Sequence, residues 1–288
     1  MMVKKEEKAV QESAPQPEVS LQVQDAANST TDLALVNDDL LAGDAGLGSE
    51  NVHAGDMALP FRAILQKGSP QVSRANAKYI QGSVPGMFLD TVTGDVFDGE
   101  KGFDFINCGF NTSMVRWKSR DSGGGLVCHY SPGDPILRTF KQNERGQLFD
   151  PDTDDVIIDT AYHYGLCLED DGTPTLAVIS MYATQLSKSR KWNTMIKKII
   201  RKDSNGRAFN PPRFAFKWRL KTKGETKDQY DWFGWDITLA EQITDAGLYV
   251  MAKKFAEDIK GGKVRVSAPP RDFDTSGEPD VPLDAPPF

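Results

Sequence analysis

The sequence predicts a mainly β protein with a few helices, one folded body lying between two disordered acidic arms. Three observations carry this. Short runs of alternating apolar and polar residues recur between Gly, Pro and Asn turns, as half-buried strands require. Two other stretches repeat their apolar residues at the helical period. Finally, residues 1–56 hold no aromatic side chain and carry eleven acids against three bases, and residues 267–288 carry five acids and one base. Segments of that composition bury too little apolar surface to offset the entropy of ordering. The body, residues 57–266, holds thirty bases and twenty-five acids, so a net charge of −7 conceals a basic domain.

Within the N-terminal arm only Leu33–Leu47 is apolar enough for a short helix. Order begins near Leu59, with Phe61, Ile64 and Leu65. Gly86–Phe97 predicts two short strands about a turn at Thr93-Gly94-Asp95. Phe103–Gly109 and Thr112–Lys118 predict two more. In the second, Val115 and Trp117 alternate with Arg116 and Lys118, and Arg120 follows in phase, so one face is apolar and the other basic. Leu126–Tyr130 resumes after Gly123–Gly125. Pro132–Asp159 is a polar insertion with weak structure, and Pro174–Tyr182 is an apolar run short enough for a buried strand.

Over Thr184–Lys202, Trp192, Met195, Ile196, Ile199 and Ile200 mark the apolar face of a helix, with Arg190, Lys197, Lys198 and Arg201 opposite. Asn205-Gly206 and Pro211-Pro212 end it. The next strand puts Arg213, Lys217, Arg219, Lys221 and Lys223 on one face, and Phe214, Phe216, Trp218 and Leu220 on the other. A turn in Gly224–Gln229 returns it along Tyr230–Leu239, where Phe233, Trp235, Ile237 and Leu239 join the core and Tyr230 and Trp232 stand beside the cations. A last helix, Ala240–Ile259, carries Ile243, Val250, Met251 and Phe255 and stops at Gly261-Gly262.

The chemistry concentrates where the charge does. Between Lys188 and Lys223 thirteen Lys and Arg face a single acid, Asp203, and four of the five tryptophans fall between Ser187 and Trp235. Cations that track phosphates, interleaved with flat rings that stack on unpaired bases, are what a groove for single-stranded nucleic acid requires. The candidate DNA-binding residues are Arg116, Lys118, Arg120, Lys188, Arg190, Lys191, Lys197, Lys198, Arg213, Lys217, Arg219, Lys221 and Lys223, with Tyr230 and Trp232 as stacking rings.

Other chemistries find little support. Cys108, Cys128, His129, His163 and Cys167 include no compact zinc-ligand pair. Asp150–Asp155 lacks the Gly and the closing Glu of a calcium loop. No phosphate-binding loop, nucleophile elbow or paired-histidine zinc motif is present. No catalytic residue, metal or cofactor is therefore expected. Three irregularly spaced cysteines, no apolar run of about 20 residues and no secretory leader point to a soluble, cytoplasmic protein without a membrane partner.

The tail Asp280-Val-Pro-Leu-Asp-Ala-Pro-Pro-Phe288 resembles the acidic tip of bacterial and phage single-stranded DNA-binding proteins. The body, from Leu59-Pro60 through Gly123–Gly125 to Lys188–Trp192 and the aromatic hairpin after Pro212, resembles the single-stranded DNA-binding proteins of tailed bacteriophages. That resemblance implies an OB-fold-like five-stranded barrel with a helix between its third and fourth strands. The strand–helix–strand–strand order from Pro174 onward fits, while the long N-terminal arm and the insertion at 132–159 depart from it. It further implies a non-enzymatic, sequence-independent binder of single-stranded DNA in the host cytoplasm. Its tip, with Asp280, Asp284, Pro286, Pro287 and Phe288, would recruit replication or recombination proteins such as a polymerase, helicase or nuclease. A recombinational annealing protein, a metal-dependent nuclease and an RNA-binding regulator stay open as alternatives, and so does a homodimer.

Overall fold

The computed structural model describes residues 38–51, 58–119, 125–143 and 146–264. The chain divides into two units, Met1–Asn51 and Val52–Phe288. In the first, part of the apolar patch forms a short helix, α1 (Asp38–Gly43), followed by turns through Gly46 and Gly48, both at positive φ. The rest of the expected N-terminal arm, Arg120 and the whole C-terminal tail lie outside the described residues.

The second unit is mostly β, arranged around one curled antiparallel half-barrel sheet. A three-stranded meander leads in: β1 (Arg62–Ile64), β2 (Phe88–Asp90) and β3 (Val96–Phe97), the last two joined at the expected Gly94 turn. The sheet strands follow as β4 (Phe103–Trp117), β5 (Leu126–Tyr130), the two-residue β6 (Lys141–Gln142) and β7 (Leu148–Phe149), β8 (Val156–Leu168) and β9 (Pro174–Tyr182). Then come α2 (Gln185–Lys198), a small hairpin of β10 (Arg201–Lys202) and β11 (Ala208–Phe209), the long hairpin β12 (Phe216–Lys227) and β13 (Tyr230–Gln242), and α3 (Ala246–Lys260). β4 and β8 pair along almost their whole length. β12 flanks the first half of β4 and β5 the second, while β9 flanks most of β8.

The expected closure into a five-stranded barrel is not found among the described residues. β13 and β5 end the sheet on one side, β6 and β9 on the other, and no ladder among the described residues joins them. Both long edges are bonded in part by other groups. On β13 the Gln66 side chain donates to Phe233 O at 2.7 Å and accepts from Phe233 N at 2.8 Å, and Gln185 Oε1 accepts from Trp235 N at 3.0 Å. On β9, Val178 N donates to Pro60 O at 2.8 Å, next to a parallel bridge from Phe61.

Two helix boundaries differ from the sequence reading. α2 stops at Lys198, with Ile200 exposed, because Asn210 Nδ2 donates to the carbonyls of Lys197 (2.8 Å) and Ile199 (3.0 Å) and turns the chain into β10. α3 starts only at Ala246, because β13 runs on to Gln242. Asp245 caps it through Leu248 N at 2.6 Å. Its buried positions are then Ala252 and Phe255, flanked by Leu248 and Ile259, and Val250 and Met251 face outward.

The sheet is apolar on both faces. One face packs Ile106, Val115, Trp117, Tyr164 and Leu166 with Phe255 of α3, and the other packs Phe105, Ala161, Cys167, Ile179, Trp218 and Leu220 with Trp192 of α2. The strand expected to break after Gly109 is continuous. β4 pairs Asn107 with Gly165 and Gly109 with Tyr164, which leaves Cys108 as an extra residue. A bulge of this kind reverses which side chains face which way. Before it Ile106 faces α3, and after it Val115 and Trp117 do. Two glycines permit it. A Cβ on Gly165 would lie 2.1 Å from Ile106 O, and one on Gly109 2.9 Å from Ile259 Cδ1 of α3.

The meander is fastened by a buried cation. Arg62, 5% exposed, places Nη2 2.5 Å from Glu169 Oε1 and Nε 3.7 Å from Asp90 Oδ2, with its guanidinium 4.1 Å from the Phe97 ring centroid. It joins β1, β2 and the end of β8 at one point. Removing one partner of a buried pair leaves the others desolvated without compensation. Arg62→Met should therefore lower unfolding free energy by about 3 kcal/mol in a denaturant titration. A loss within about 0.5 kcal/mol would show that the clamp contributes no more than a surface pair.

Candidate nucleic-acid interface

The bulge decides what meets α2. Past it, Phe110, Thr112 and Met114 turn toward the helix, and Asn193, Thr194, Arg190 and Lys197 project from one helical face toward them. Together with Pro132 and Asp159 they enclose an open groove of about 700 Å³. Phe110 is 38% exposed, a large figure for a phenyl ring inside a sheet. Behind it Arg213 lies 5.5 Å from the ring centroid and donates through Nη2 to Asn193 Oδ1 at 2.8 Å. The groove thus offers an apolar ring with a guanidinium behind it and two cations along its rim. Asp159 is the opposing charge, and burial raises its pKa although Arg190 acts to lower it.

The remaining expected contacts divide into groups. Lys191 and Lys198 are exposed on α2 near the groove, and Lys118 is exposed at the end of β4. Several cations sit on carboxylates instead of open solvent. Arg116 is held by Asp150 (2.6 Å) and Asp155 (2.8 Å), so the acidic turn anchors a strand and the polar insertion is more ordered than expected. Lys188 pairs with Glu225 (2.5 Å), Lys217 with Glu241 (2.8 Å) and Arg219 with Asp104 (2.9 Å).

The expected single groove is also split. Trp218 and Leu220 pack with Trp192 of α2, so alternation along β12 sends Lys217, Arg219, Lys221 and Lys223 to the opposite sheet face. Trp232 stands on that same face, opposite Glu225. Its ring is 7% exposed and its indole N–H donates to Glu225 Oε2 at 2.9 Å, which leaves no free face for a base. Tyr230 is half-buried at the start of β13.

Phe110, Asn193, Thr194 and Asp159 were missed as site residues. Phe110 fell in the gap between two strands that are in fact one, and the one available signal was Gly109, since an isolated glycine within a strand pattern marks a bulge.

Beneath the groove runs a buried polar chain. Asn107 Nδ2 lies 3.0 Å from His163 Nδ1, and His163 Nε2 lies 2.8 Å from Ser189 Oγ, with the imidazole stacked on Trp192 at 4.4 Å. With the Asn107 amide as donor, Nδ1 accepts and Nε2 carries the proton. That is the wrong tautomer for activating Ser189, and Ser189 is itself buried. The chain holds α2 to β4 and β8. Cys108 and Cys167 face opposite sides of the sheet, each pushed up to about 12 by burial. Among the described residues no three His, Cys, Asp or Glu side chains gather as a metal site, and no helix is long and apolar enough to cross a membrane.

A family model described as Pam3 phage gp34-like protein matches residues 28–265. The chain belongs to this phage protein family. The matched stretch spans every described helix and strand, the groove included, and ends before the acidic tail. Comparison with curated proteins and with solved structures finds no match.

His163 makes the fold pH-sensitive. Burial first, and then Arg213, hold its pKa well below the ordinary 6.5, so the folded state keeps it neutral. The unfolded chain takes up the proton at the ordinary value, so this contribution is full above pH 6.5 and lost as pH falls below it. Stability measured by denaturant should decline from about pH 6.5 downward, with a slope approaching about 1.4 kcal/mol per pH unit from this residue. His129, also lowered by burial, acts in the same sense. A stability profile flat down to about pH 5 would contradict the neutral assignment.

Proposed function

We propose that this protein binds single-stranded DNA without reading its sequence, and that the strand enters along the groove between α2 and the second half of β4. The observation that carries the reading is the exposed Phe110 ring on the groove floor, flanked by Arg190 and Lys197. One base stacks on the ring while the rim cations meet the flanking phosphates. The curled sheet, with α2 between β9 and β12, serves as an OB-fold-like platform, and the tail Asp280–Phe288 serves as the tip that recruits replication or recombination partners. Arg213 supports the site from behind. Burial lowers its pKa, and its contacts with Phe110 and Asn193 keep the ring in place.

The test is a fluorescence titration with labelled oligo(dT) and a duplex of equal length at two salt concentrations. Tight, salt-sensitive binding to the single strand with little to the duplex is expected. Phe110→Ala should cost about tenfold in affinity, about 1.4 kcal/mol, with the salt slope unchanged. The double variant Arg190→Gln, Lys197→Gln should flatten that slope by roughly 1.4. Asp159→Asn removes the opposing charge and should tighten binding. Equal affinity for duplex and single strand, or a Phe110→Ala variant indistinguishable from the wild type, would sink this reading.

A further inference from the structure

The β10–β11 hairpin adds nothing to the core. All of its residues from Arg201 to Phe209 are exposed, and so is Ile200 before it. It is nonetheless built to hold its shape. Asp203 N donates to Arg207 O at 3.0 Å, and Asp203 Oδ1 accepts from Asn205 N and Arg207 N, each at 2.9 Å. Asn210 ties its base to the end of α2. Asp203 is the one acid between Lys188 and Lys223, and its carboxylate is turned onto loop amides. Arg201 leans on the body, 5.5 Å from the Phe216 ring and bonded to Gln242 Oε1 at 3.1 Å. Lys202, directly opposite Ala208, faces the other way from Arg201, and neither Lys202 nor Arg207 has a carboxylate partner among the described residues.

We propose that this hairpin is a wing that carries single-stranded DNA onward from the groove, with Lys202 and Arg207 contacting the backbone beyond the nucleotides that α2 holds. The proposal rests on the groove reading and extends it. Lys197 lies on the groove rim and Lys198 beside it at the end of α2, and the chain enters the wing three residues later. Cationic side chains thus recur from the groove rim, through the end of α2, to the hairpin. The wing determines the length of strand that one molecule covers. A strand confined to the groove never meets it.

The experiment compares the full-length protein with the double variant Lys202→Gln, Arg207→Gln on oligo(dT) of about 6 and about 20 nucleotides across a salt series. For the longer oligomer the slope of log affinity against log salt should flatten by roughly 1.4, two phosphate contacts at about 0.7 each. For the shorter one it should not change. Unchanged slopes on both oligomers would overturn the wing and leave the groove standing. Equal flattening on both would place the two residues inside the groove and also overturn it. Failure of the wild type to bind either oligomer would remove the groove reading, and the wing with it.

Discussion

The bulge at Cys108 is the constraint on which the arrangement of this domain depends. β4 is long enough to contact α2, α3 and three other strands, and each of its faces is buried somewhere along its length. A strand of uniform phase would present the same alternate residues to α3 throughout. The extra residue turns Phe110, Thr112 and Met114 toward α2 and hands Val115 and Trp117 to the α3 side. The two glycines at the bulge have separate duties, one admitting the β4 backbone and the other admitting α3. The groove is thus a product of backbone geometry before it is a product of side-chain chemistry.

Electrostatics then sort the cations. A cation beside a carboxylate keeps its charge but presents little net field to a ligand, and the attraction that remains is screened beyond a Debye length. Arg116, Lys188, Lys217 and Arg219 are all in that position, at 2.9 Å or less from an acid. Among the described residues of this run, Lys191, Lys197, Lys198, Lys202, Arg207, Lys221 and Lys223 sit in no ion pair with a carboxylate. A sequence with thirteen bases in a row of thirty-six residues thus yields a focused basic strip and a set of internal ties.

Much of this was legible from residues alone. The alternation of Phe216, Trp218 and Leu220 with Lys217, Arg219 and Lys221 gave the correct faces of β12, because that strand is apolar on one side only. The Gly94 turn and the Trp192 face of α2 followed equally directly. Pattern reading failed where both faces of a strand are buried, since alternation then carries no phase, and Phe103–Trp117 is such a strand. It failed again where a partner is distant in sequence. Nothing local to Arg219 announces Asp104 as its partner. The barrel was expected from resemblance, and among the described residues the sheet is a half-barrel, with Gln66, Gln185 and Pro60 bonded to its edges.

Those glutamines bear on how the protein behaves when crowded. An uncovered strand invites a neighbour to add its own, and exchange of that kind grows into fibres. With the outward amides of Phe233 and Trp235 already satisfied from within the same molecule, the first half of this edge offers no free template for polymerisation. Copies that lie side by side then find no strand to pair with at Phe233 and Trp235.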